Sequence, residues 1–181
     1  MIFDSVIQTE RLIIRCLDSN DAGHLFRLRS DQEYAELFGW KPYTSIEQAY
    51  ERIRRIRDDS SCYAFSVVPK TVGNAIGGVC LWNIDYENKI AEIGYDLEKE
   101  HRGKGYALEA CCAVVRFAFD ELKMKTVTAF PRVTNRPSIT LLQKLGFERR
   151  GITKSIMDSG EESDHYAYAT KFPSPFAKVP D

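Results

Sequence analysis

The spacing of apolar residues at the start of the chain predicts one strand followed by two helices. The apolar run RLIIRCL (11–17) is typical of a buried strand, and DSNDAGHLFRLRSD (18–31) shows helical spacing after a polar start. Ser45 and Gln48 stand three residues apart in the pattern of a capping box, which predicts a helix over 46–58. The chain is therefore expected to open with a β-α-α segment.

The middle of the chain shows three strand patterns and one long helical pattern. The segments 62–69, 75–84 and 89–97 are separated by TVGN and DYEN, which have the composition of turns. A helix is then predicted over 105–122. Five of its apolar residues fall on one stripe: Leu108, Cys111, Val115, Phe119 and Leu122. This order predicts an antiparallel meander followed by a helix.

The last third of the chain predicts a strand, a short helix and two closing strands. KTVTAF (125–130) has the composition of a strand. NRPSITLLQKLGF (135–147) predicts a short helix that ends at Gly146, since glycine is common just after the end of a helix. The closing strands are expected near 147–157 and 164–171.

Length and composition fit one domain. The chain has 181 residues, of which 44% are hydrophobic and 28% charged. This length allows a hydrophobic core, and the composition argues against disorder. We therefore predict one α+β domain with a mixed sheet over residues 1–172. The Pro-rich segment 173–181 is expected to be a loosely attached tail.

The charge and the ends of the chain exclude some functions. The net charge is −1, whereas a dedicated nucleic-acid binder would usually be more basic, so there is no strong nucleic-acid signal. The N-terminal residues lack the pattern of a signal peptide, and no apolar run has the length of a membrane span. We expect a cytoplasmic protein with no membrane partner.

Cysteine and histidine give no sign of a metal site. The five cysteines are an odd number without a C-x-x-C pair, which favours buried thiols in a reducing compartment. The three histidines are scattered, so no metal is expected.

Four arginines lie in the helix predicted over 46–58. They cover the faces that the apolar residues leave free: Arg52, Arg54, Arg55 and Arg57. A solvated surface and a ligand patch are both compatible with this pattern.

A glycine-containing turn, EKEHRGKGYALEA (98–110), precedes the long helix. It does not match a P-loop, because Lys104 lies between the glycines and no Ser or Thr follows. It does not match a Rossmann fingerprint either, since Leu108 stands where a small residue is needed. Glycines, basic residues and a helix N-terminus can together bind a phosphate group. A polar turn without a ligand remains equally compatible with the pattern.

Two sequence blocks resemble the GNAT superfamily of acetyl-CoA-dependent N-acetyltransferases. The phosphate motif R/Q-x-x-G-x-G/A is matched by Arg102, Gly105 and Ala107. The second block is Asn135 followed by KLGF (144–147). Further similarity in segments 9–31 and 91–110 is to the RimJ/RimL-type branch, named for enzymes that acetylate N-termini of ribosomal proteins. The resemblance covers about residues 8–171.

The resemblance implies a mostly antiparallel sheet in which acetyl-CoA lies in a cleft between splayed parallel strands 89–97 and 125–130. It implies that the pantetheine arm pairs with the backbone of three residues: Tyr95, Asp96 and Leu97. It places the pyrophosphate on six more: Arg102, Gly103, Lys104, Gly105, Tyr106 and Ala107. Asn135 would hydrogen-bond the pantetheine side of the cofactor, and its place before a helix also suits an N-cap.

Acetylation of an amine benefits from a general base, and Glu92 is the candidate. Alternation along the strand separates Glu92 from the apolar residues, and in the resembling enzymes an acidic residue at this position faces the cleft. A solvent-facing glutamate would show the same alternation. The tyrosine that many of these enzymes use as an acid is replaced by Leu142, and the resemblance offers Ser138 instead, as a hydrogen-bond donor or only as a cap. No cysteine nucleophile is expected.

The acceptor side is expected between the first two helices, at 36–44. Trp40 and Tyr43 could line an acceptor groove or pack on the core. The resemblance leaves a protein N-terminal amine and a small-molecule amine open as acceptors. A non-catalytic acyl-CoA-binding module on the same fold is the alternative function, and a homodimer is left open.

Overall fold

The computed structural model describes residues 6–156, 160 and 162–171, without the side chains of residues 37 and 38. The predicted tail over 173–181 and the domain limit predicted at residue 172 lie outside these residues.

Five helices and eight strands make up the described part of the chain. The helices are α1 (Ala22–Ser30), α2 (Gln32–Phe38), α3 (Ile46–Asp58), α4 (Tyr106–Asp120) and α5 (Arg136–Lys144). The strands are β1 (Val6–Gln8), β2 (Leu12–Cys16), β3 (Tyr63–Pro69), β4 (Gly77–Asp85), β5 (Ile90–Leu97), β6 (Thr126–Ala129), β7 (Glu148–Ile156) and β8 (Glu162–Lys171).

All of these strands form one sheet, in the order β1-β2-β3-β4-β5-β6-β8-β7. Neighbouring strands are antiparallel except β5 and β6, which run parallel. The helix α4 connects these two strands, as a parallel pair requires a crossover connection. The predicted α+β class and the mostly antiparallel mixed sheet are confirmed.

The parallel pair β5–β6 separates before β5 ends. Ile90, Ala91 and Glu92 pair with Thr126, Val127 and Thr128, and no further pair follows among the described residues. Strand β5 continues to Leu97 while remaining paired with β4 on its other edge. The edge of β5 beyond Glu92 therefore faces an opening in the sheet, which agrees with the splayed strands that the resemblance implies.

The main hydrophobic core lies between α4 and one face of the sheet. Leu81, Ala91 and Ile93 from the strands are buried in one cluster with Ala110 and Val114 from α4. Strand residues alternate between faces, so the side chains that lie between these in sequence point to the other face. That second face carries the chemistry described below.

Helices α1 and α3 cover part of the second face and form a smaller cluster with Ala22, Ala49 and Ile53 at its centre. Asp21 fixes the start of α1 to the sheet. Its carboxylate accepts two hydrogen bonds from Arg15 on β2, at 2.8 Å each, and one from Ser66 on β3 at 2.6 Å. Asp21 is only 3% exposed, so this buried ion pair positions α1 over the second face.

Two elements are present that the sequence patterns did not predict. Strand β1 spans three residues, which is too short for an alternation to be recognised, and it exists because it pairs with β2. Helix α2 is capped by Asp31, whose side chain accepts from the Tyr34 N–H, and it ends at Gly39 with φ 71°. The sequence pattern places Asp31 at the end of the first predicted helix, and it therefore does not identify Asp31 as the N-cap of α2.

Candidate active site

A cavity of 620 Å³ extends from the opening between β5 and β6 to the second face of the sheet. It is lined by residues of α1, α3, α4, α5 and the central strands. All but two of the predicted site residues line it: Trp40, Glu92, Tyr95, Asp96, Leu97, Arg102, Gly103, Gly105, Tyr106, Ala107, Asn135 and Ser138. The two that do not are Tyr43 and Lys104. The cavity therefore brings together residues that are far apart in sequence.

The glycine turn adopts a backbone conformation that favours glycine. Gly103 and Gly105 have φ of 74° and 83°, in the left-handed region. Gly105 is the N-cap of α4 and provides no side-chain cap, so the first N–H groups of the helix are left for another partner. Arg11 holds the turn, since its Nη1 donates to the Lys104 carbonyl at 2.9 Å. Lys104 thus contributes its backbone to the fixed turn rather than its side chain to the cavity lining.

The side chain of Arg102 is folded onto the end of β5. Its Nε donates to the Leu97 carbonyl at 3.0 Å, and its Cζ lies 4.8 Å from the centre of the Tyr34 ring. The Leu97 N–H in turn donates to the Tyr34 hydroxyl at 3.2 Å. Both backbone groups of Leu97 therefore have partners within the protein.

The backbone N–H and C=O groups of Tyr95 on β5 face the opening. Groups two residues apart on a strand point to the same edge, so the N–H and C=O of Tyr95 share the edge of Leu97. Asp96 points its backbone the other way, toward β4, where it is in register with Gly78. Of the three residues predicted to pair with the pantetheine arm, Tyr95 thus has the backbone groups that face the opening, and the pairing itself stays a prediction.

Glu92 lies where β5 leaves β6 and lines the cavity. Its Oε2 accepts a hydrogen bond from Asn83 Nδ2 at 3.0 Å. Asn83 has φ 48° and lies in an irregularity of β4 between Trp82 and Asp85. Such an irregularity redirects side chains, and here it directs the amide to the carboxylate. Asn83 is a residue of the site that the sequence analysis missed.

Asp96 is a second carboxyl group at this face of the sheet. Its Oδ1 accepts from the Gly78 N–H at 2.9 Å. Burial raises the pKa of Asp96 above its ordinary value, and the nearby charges of Arg29 and His24 act in the opposite direction. The sequence analysis gave Asp96 a backbone role only, and the structure adds a carboxyl group buried in the cavity wall.

Asn135 and Ser138 meet β5 at the start of α5. The Asn135 Oδ1 accepts from the Ser138 N–H at 3.2 Å, so the N-cap alternative for Asn135 is confirmed. The amide nitrogen of Asn135 makes no hydrogen bond with the described residues. The Ser138 hydroxyl lies 2.7 Å from the Tyr95 hydroxyl, and either can donate. Burial raises the pKa of Tyr95 well above its ordinary value. The phenol therefore stays protonated and can act as a donor.

Trp40 and Tyr43 have different surroundings. Trp40 lines the cavity, and the guanidinium carbon of Arg29 lies 3.5 Å from the centre of its ring. Tyr43 is half-buried and packs against the small cluster between α1 and α3. Tyr43 therefore packs on the core, whereas Trp40 lines the cavity and its place in an acceptor groove stays a prediction.

Within the described ranges, no three His, Cys, Asp or Glu side chains are placed to hold a metal ion. The five cysteines are free thiols, of which Cys111 is buried and the others half-buried. None of the helices that the structure describes is both long and apolar enough to cross a membrane.

The family profile described as "Acetyltransferase (GNAT) domain" matches residues 11–148, which is most of the chain. The chain belongs to the GNAT acetyltransferase family. This acetyltransferase is 36% identical over 152 residues to a protein of Bacillus licheniformis named "Uncharacterized N-acetyltransferase p20", and the match covers 82% of this chain and 85% of that protein. The chain is thus an acetyltransferase enzyme, and its named relatives are N-acetyltransferases.

Solved structures show the same fold for this acetyltransferase. One described as a probable acetyltransferase superposes with a TM-score of 0.82 at 27% identity, covering 93% of this chain and 97% of that one. A spermidine N-acetyltransferase from Vibrio cholerae, solved in complex with CoA and spermine, gives a TM-score of 0.80 at 22% identity, with 90% and 96% covered. At that identity the likeness shows the fold alone.

Several residues at the acetyltransferase site were not singled out from the sequence. Arg29 and Trp82 line the cavity, and Asn83 hydrogen-bonds Glu92. The sequence pattern shows them only as parts of a helix and a strand, and no sequence spacing links them to Glu92. Arg52 was one of four arginines assigned to a solvated face or a ligand patch. The structure separates them: Arg52 lines the cavity, whereas Arg54, Arg55 and Arg57 are exposed.

Proposed function

We propose that this enzyme transfers the acetyl group of acetyl-CoA to a primary amine by direct attack, and that it belongs to the RimJ/RimL-type branch. The observation that carries the proposal is the position of Glu92. It lies where β5 and β6 separate, in the cavity that reaches from the glycine turn to the second face of the sheet.

The cleft fits acetyl-CoA as the acetyl donor. The left-handed turn at Gly103 and Gly105 and the uncapped N-terminus of α4 provide converging N–H groups for a pyrophosphate. The free backbone edge at Tyr95 suits the amides of a pantetheine arm. The Asn135 amide nitrogen lies on the opposite wall and can donate to the same arm.

Glu92 takes the proton of the attacking amine in this proposal. A lysine-like amine has a pKa of about 10.4 and an α-amine about 8, so both are mostly protonated at neutral pH and must lose a proton to attack. Glu92 accepts this first proton, directly or through water, and the neutral amine attacks the thioester carbon. As the C–N bond forms and the C–S bond breaks, the second N–H proton passes to the leaving thiolate, which gives the amide and CoA. Asn83 holds the carboxylate in place for this step.

Ser138 and Tyr95 assist the leaving thiolate. When the Tyr95 hydroxyl donates to the Ser138 Oγ, the hydroxyl proton of Ser138 is free to point toward the thioester sulfur. A thiol with a pKa of about 8.5 leaves readily near neutral pH, so a hydrogen bond suffices for most of the stabilisation. In this proposal the two hydroxyls together assist the leaving group, as a tyrosine at the position of Leu142 does in many GNAT enzymes.

The decisive experiment compares Glu92→Gln with wild type across pH, using a mass-spectrometric screen to select the amine. We expect kcat to fall by about 10²- to 10⁴-fold near neutral pH, with part of the activity recovered at high pH as the amine loses its own proton. Glu87→Gln, an exposed position in the turn between β4 and β5, is the matched control. A Glu92→Gln enzyme with the wild-type pH–rate profile would exclude Glu92 as the base.

A further inference from the structure

The end of the cavity beside Cys80 and Gly94 contains two arginines that form no salt bridge with the described residues. Arg29 enters from α1 and Arg52 from α3, above the floor formed by Cys80 and Trp82 of β4. The Nε atoms of both arginines are buried and have no hydrogen-bond partner among the residues described. The glycine turn, the edge of β5 and the start of α5 are assigned to the acetyl donor in the proposed function. None of these assignments gives a role to the two guanidinium groups.

Other arginines near the site have defined partners, which makes these two exceptions informative. Arg11 pairs with Glu109, Arg15 with Asp21, and Arg102 with the Leu97 carbonyl. By contrast, neither Arg29 nor Arg52 has a carboxylate within 4 Å in the described part of the chain. Arg29 and Arg52 are half-buried in the cavity wall, and a guanidinium without a carboxylate partner there is available to bind an anionic ligand.

Arg29 is held in place although it has no anionic partner. Its guanidinium carbon lies 3.5 Å from the centre of the Trp40 ring and 5.9 Å from that of Tyr43. Stacking on an aromatic face leaves the N–H groups at the edge of the guanidinium free to donate. Burial lowers the pKa of Arg29, but an arginine remains charged at neutral pH. The side chain is therefore a fixed cationic donor.

The carboxyl groups at this end of the cavity do not balance the two positive charges. Glu92 accepts from Asn83, and Asp96 accepts from Gly78. Asp96 lies near Arg29, and one carboxylate can balance at most one of the two positive charges. Glu92 also has to remain free to take a proton from the acceptor.

The surroundings of the two arginines assign them to the acceptor side of the cavity. Arg29 and Arg52 lie near each other, and Arg29 acts electrostatically on Asp96 and Cys80. Arg52 also acts on Cys80, which lies beside Gly94 in the register of β4 and β5. We therefore assign the two arginines to the acceptor rather than to the pyrophosphate of the donor, which we place on the glycine turn.

We propose that the acceptor is an amine that also carries an oxyanion, a carboxylate or a phosphate, which Arg29 and Arg52 bind while Glu92 faces the amine. This inference rests on the proposed function and names the acceptor class for the same site. A guanidinium matches both oxyanions because it donates two parallel hydrogen bonds. Trp40 and Trp82 enclose an apolar linker between the two groups. A polyamine such as spermidine, which carries only positive charges, is disfavoured by this end of the cavity.

The test uses acceptor pairs that differ only in the anionic group. Phenylalanine is compared with phenylalaninamide, and O-phosphoethanolamine with ethanolamine, and spermidine is included as a polycation. We expect at least a tenfold higher kcat/KM for one anionic member over its neutral partner, and the pair that shows it identifies carboxylate or phosphate. In Arg29→Gln and Arg52→Gln the preference should fall to near unity through KM. Equal kcat/KM within both pairs, or a preference for spermidine, would overturn the proposal.

The control variant is Arg54→Gln, which removes an exposed arginine from the same helix as Arg52 and should keep the preference. Because Arg29→Gln also loses the stacking on Trp40, the same assay on Arg52→Gln separates loss of the anion site from loss of the fold.

A binding arm separates failure of this inference from failure of the proposed function. Calorimetry with phenylalanine and with O-phosphoethanolamine, in the presence of CoA, is performed on wild type and on Arg29→Gln. If no amine is acetylated but one anion binds only to wild type, the proposed function fails and the anion site stands. If amines are acetylated and neither anion binds better than its neutral partner, the anion site fails and the proposed function stands.

Discussion

Replacing Asp21 by asparagine removes the charge that ties α1 to the sheet. The carboxylate accepts four hydrogen bonds: two from Arg15, one from Ser66 and one from the Asp18 N–H. In Asp21→Asn one oxygen becomes an NH₂ group. In the orientation that keeps the other three hydrogen bonds, this NH₂ group takes the place of Oδ1. It then faces the Arg15 Nη2 donor, which lies 2.8 Å from Oδ1 in the wild type. One charge-assisted bond is lost, and Arg15 is left without its buried partner.

The expected loss follows from this geometry. Breaking a buried ion pair by removing one charge costs about 3–5 kcal/mol, and we take about 3 kcal/mol because Arg15 is 30% exposed and regains some hydration. For a chain of this length, 1 kcal/mol corresponds to about 2–4 °C, so Tm should fall by about 6–12 °C. Urea unfolding followed by circular dichroism measures the free energy of unfolding, with an unchanged m value as evidence that only stability changed.

Asp58→Asn is the matched control, since Asp58 is exposed at the end of α3 and its change should stay within about 0.5 kcal/mol. The pH dependence adds a second check. Burial alone would raise the pKa of Asp21, but the bonds from Arg15 and Ser66 outweigh it, so the folded pKa is lowered. The stabilisation is therefore present above the unfolded pKa of about 3.9 and is lost as pH falls below it toward the folded pKa. A loss below 1 kcal/mol in Asp21→Asn at neutral pH would refute this reasoning.

Three further predictions concern the cleft. Gly105→Ala should raise the KM for acetyl-CoA and lower the free energy of unfolding by about 1–2 kcal/mol, because alanine is strained at φ 83°. Gly151→Ala is the control in the same kinetic and urea assays, since a Cβ at Gly151 meets no neighbouring atom. Asn83→Gly keeps the left-handed backbone and removes the amide, so kcat should fall while the KM for acetyl-CoA is unchanged; an unaltered kcat would show that Glu92 needs no such partner. In single-turnover measurements, Ser138→Ala and Tyr95→Phe should lower the rate by similar modest factors. If the two hydroxyls act as one unit, the double variant should be no slower than either single variant.

Local signals in the sequence predicted most of the fold. The capping box of Ser45 and Gln48 is present at the start of α3, and Gly146 has φ 71° just after α5. Gly103 and Gly105 in the glycine turn have a left-handed backbone, which glycine adopts without strain. These features depend on neighbours within a few residues, so a sequence pattern is sufficient to find them.

Contacts between distant segments could not be read in the same way. Tyr95 and Ser138 are 43 positions apart, and their hydroxyls meet only because β5 and α5 border the same opening. Arg29 looks like an ordinary polar residue of an amphipathic helix until Trp40 is found stacked on it. Helix α4 also buries Phe117, outside its predicted stripe, since α4 is enclosed more widely than a surface helix. Position in the assembled fold, rather than local pattern, decides these roles.

The separation of β5 from β6 divides the sheet into two antiparallel units. Strands β1 to β5 form a meander, and the other unit has the order β6-β8-β7; in the described ranges three residue pairs join the two units. A molecule bound in the opening contacts both units and adds the backbone hydrogen bonds that the sheet lacks there. Binding therefore couples the two units, and amide hydrogen exchange in β6 and β8 should slow together with that in β5 when acetyl-CoA is present. Under the proposed function, the pantetheine arm of acetyl-CoA would take the place of a strand between β5 and β6 and would join the two units of the sheet.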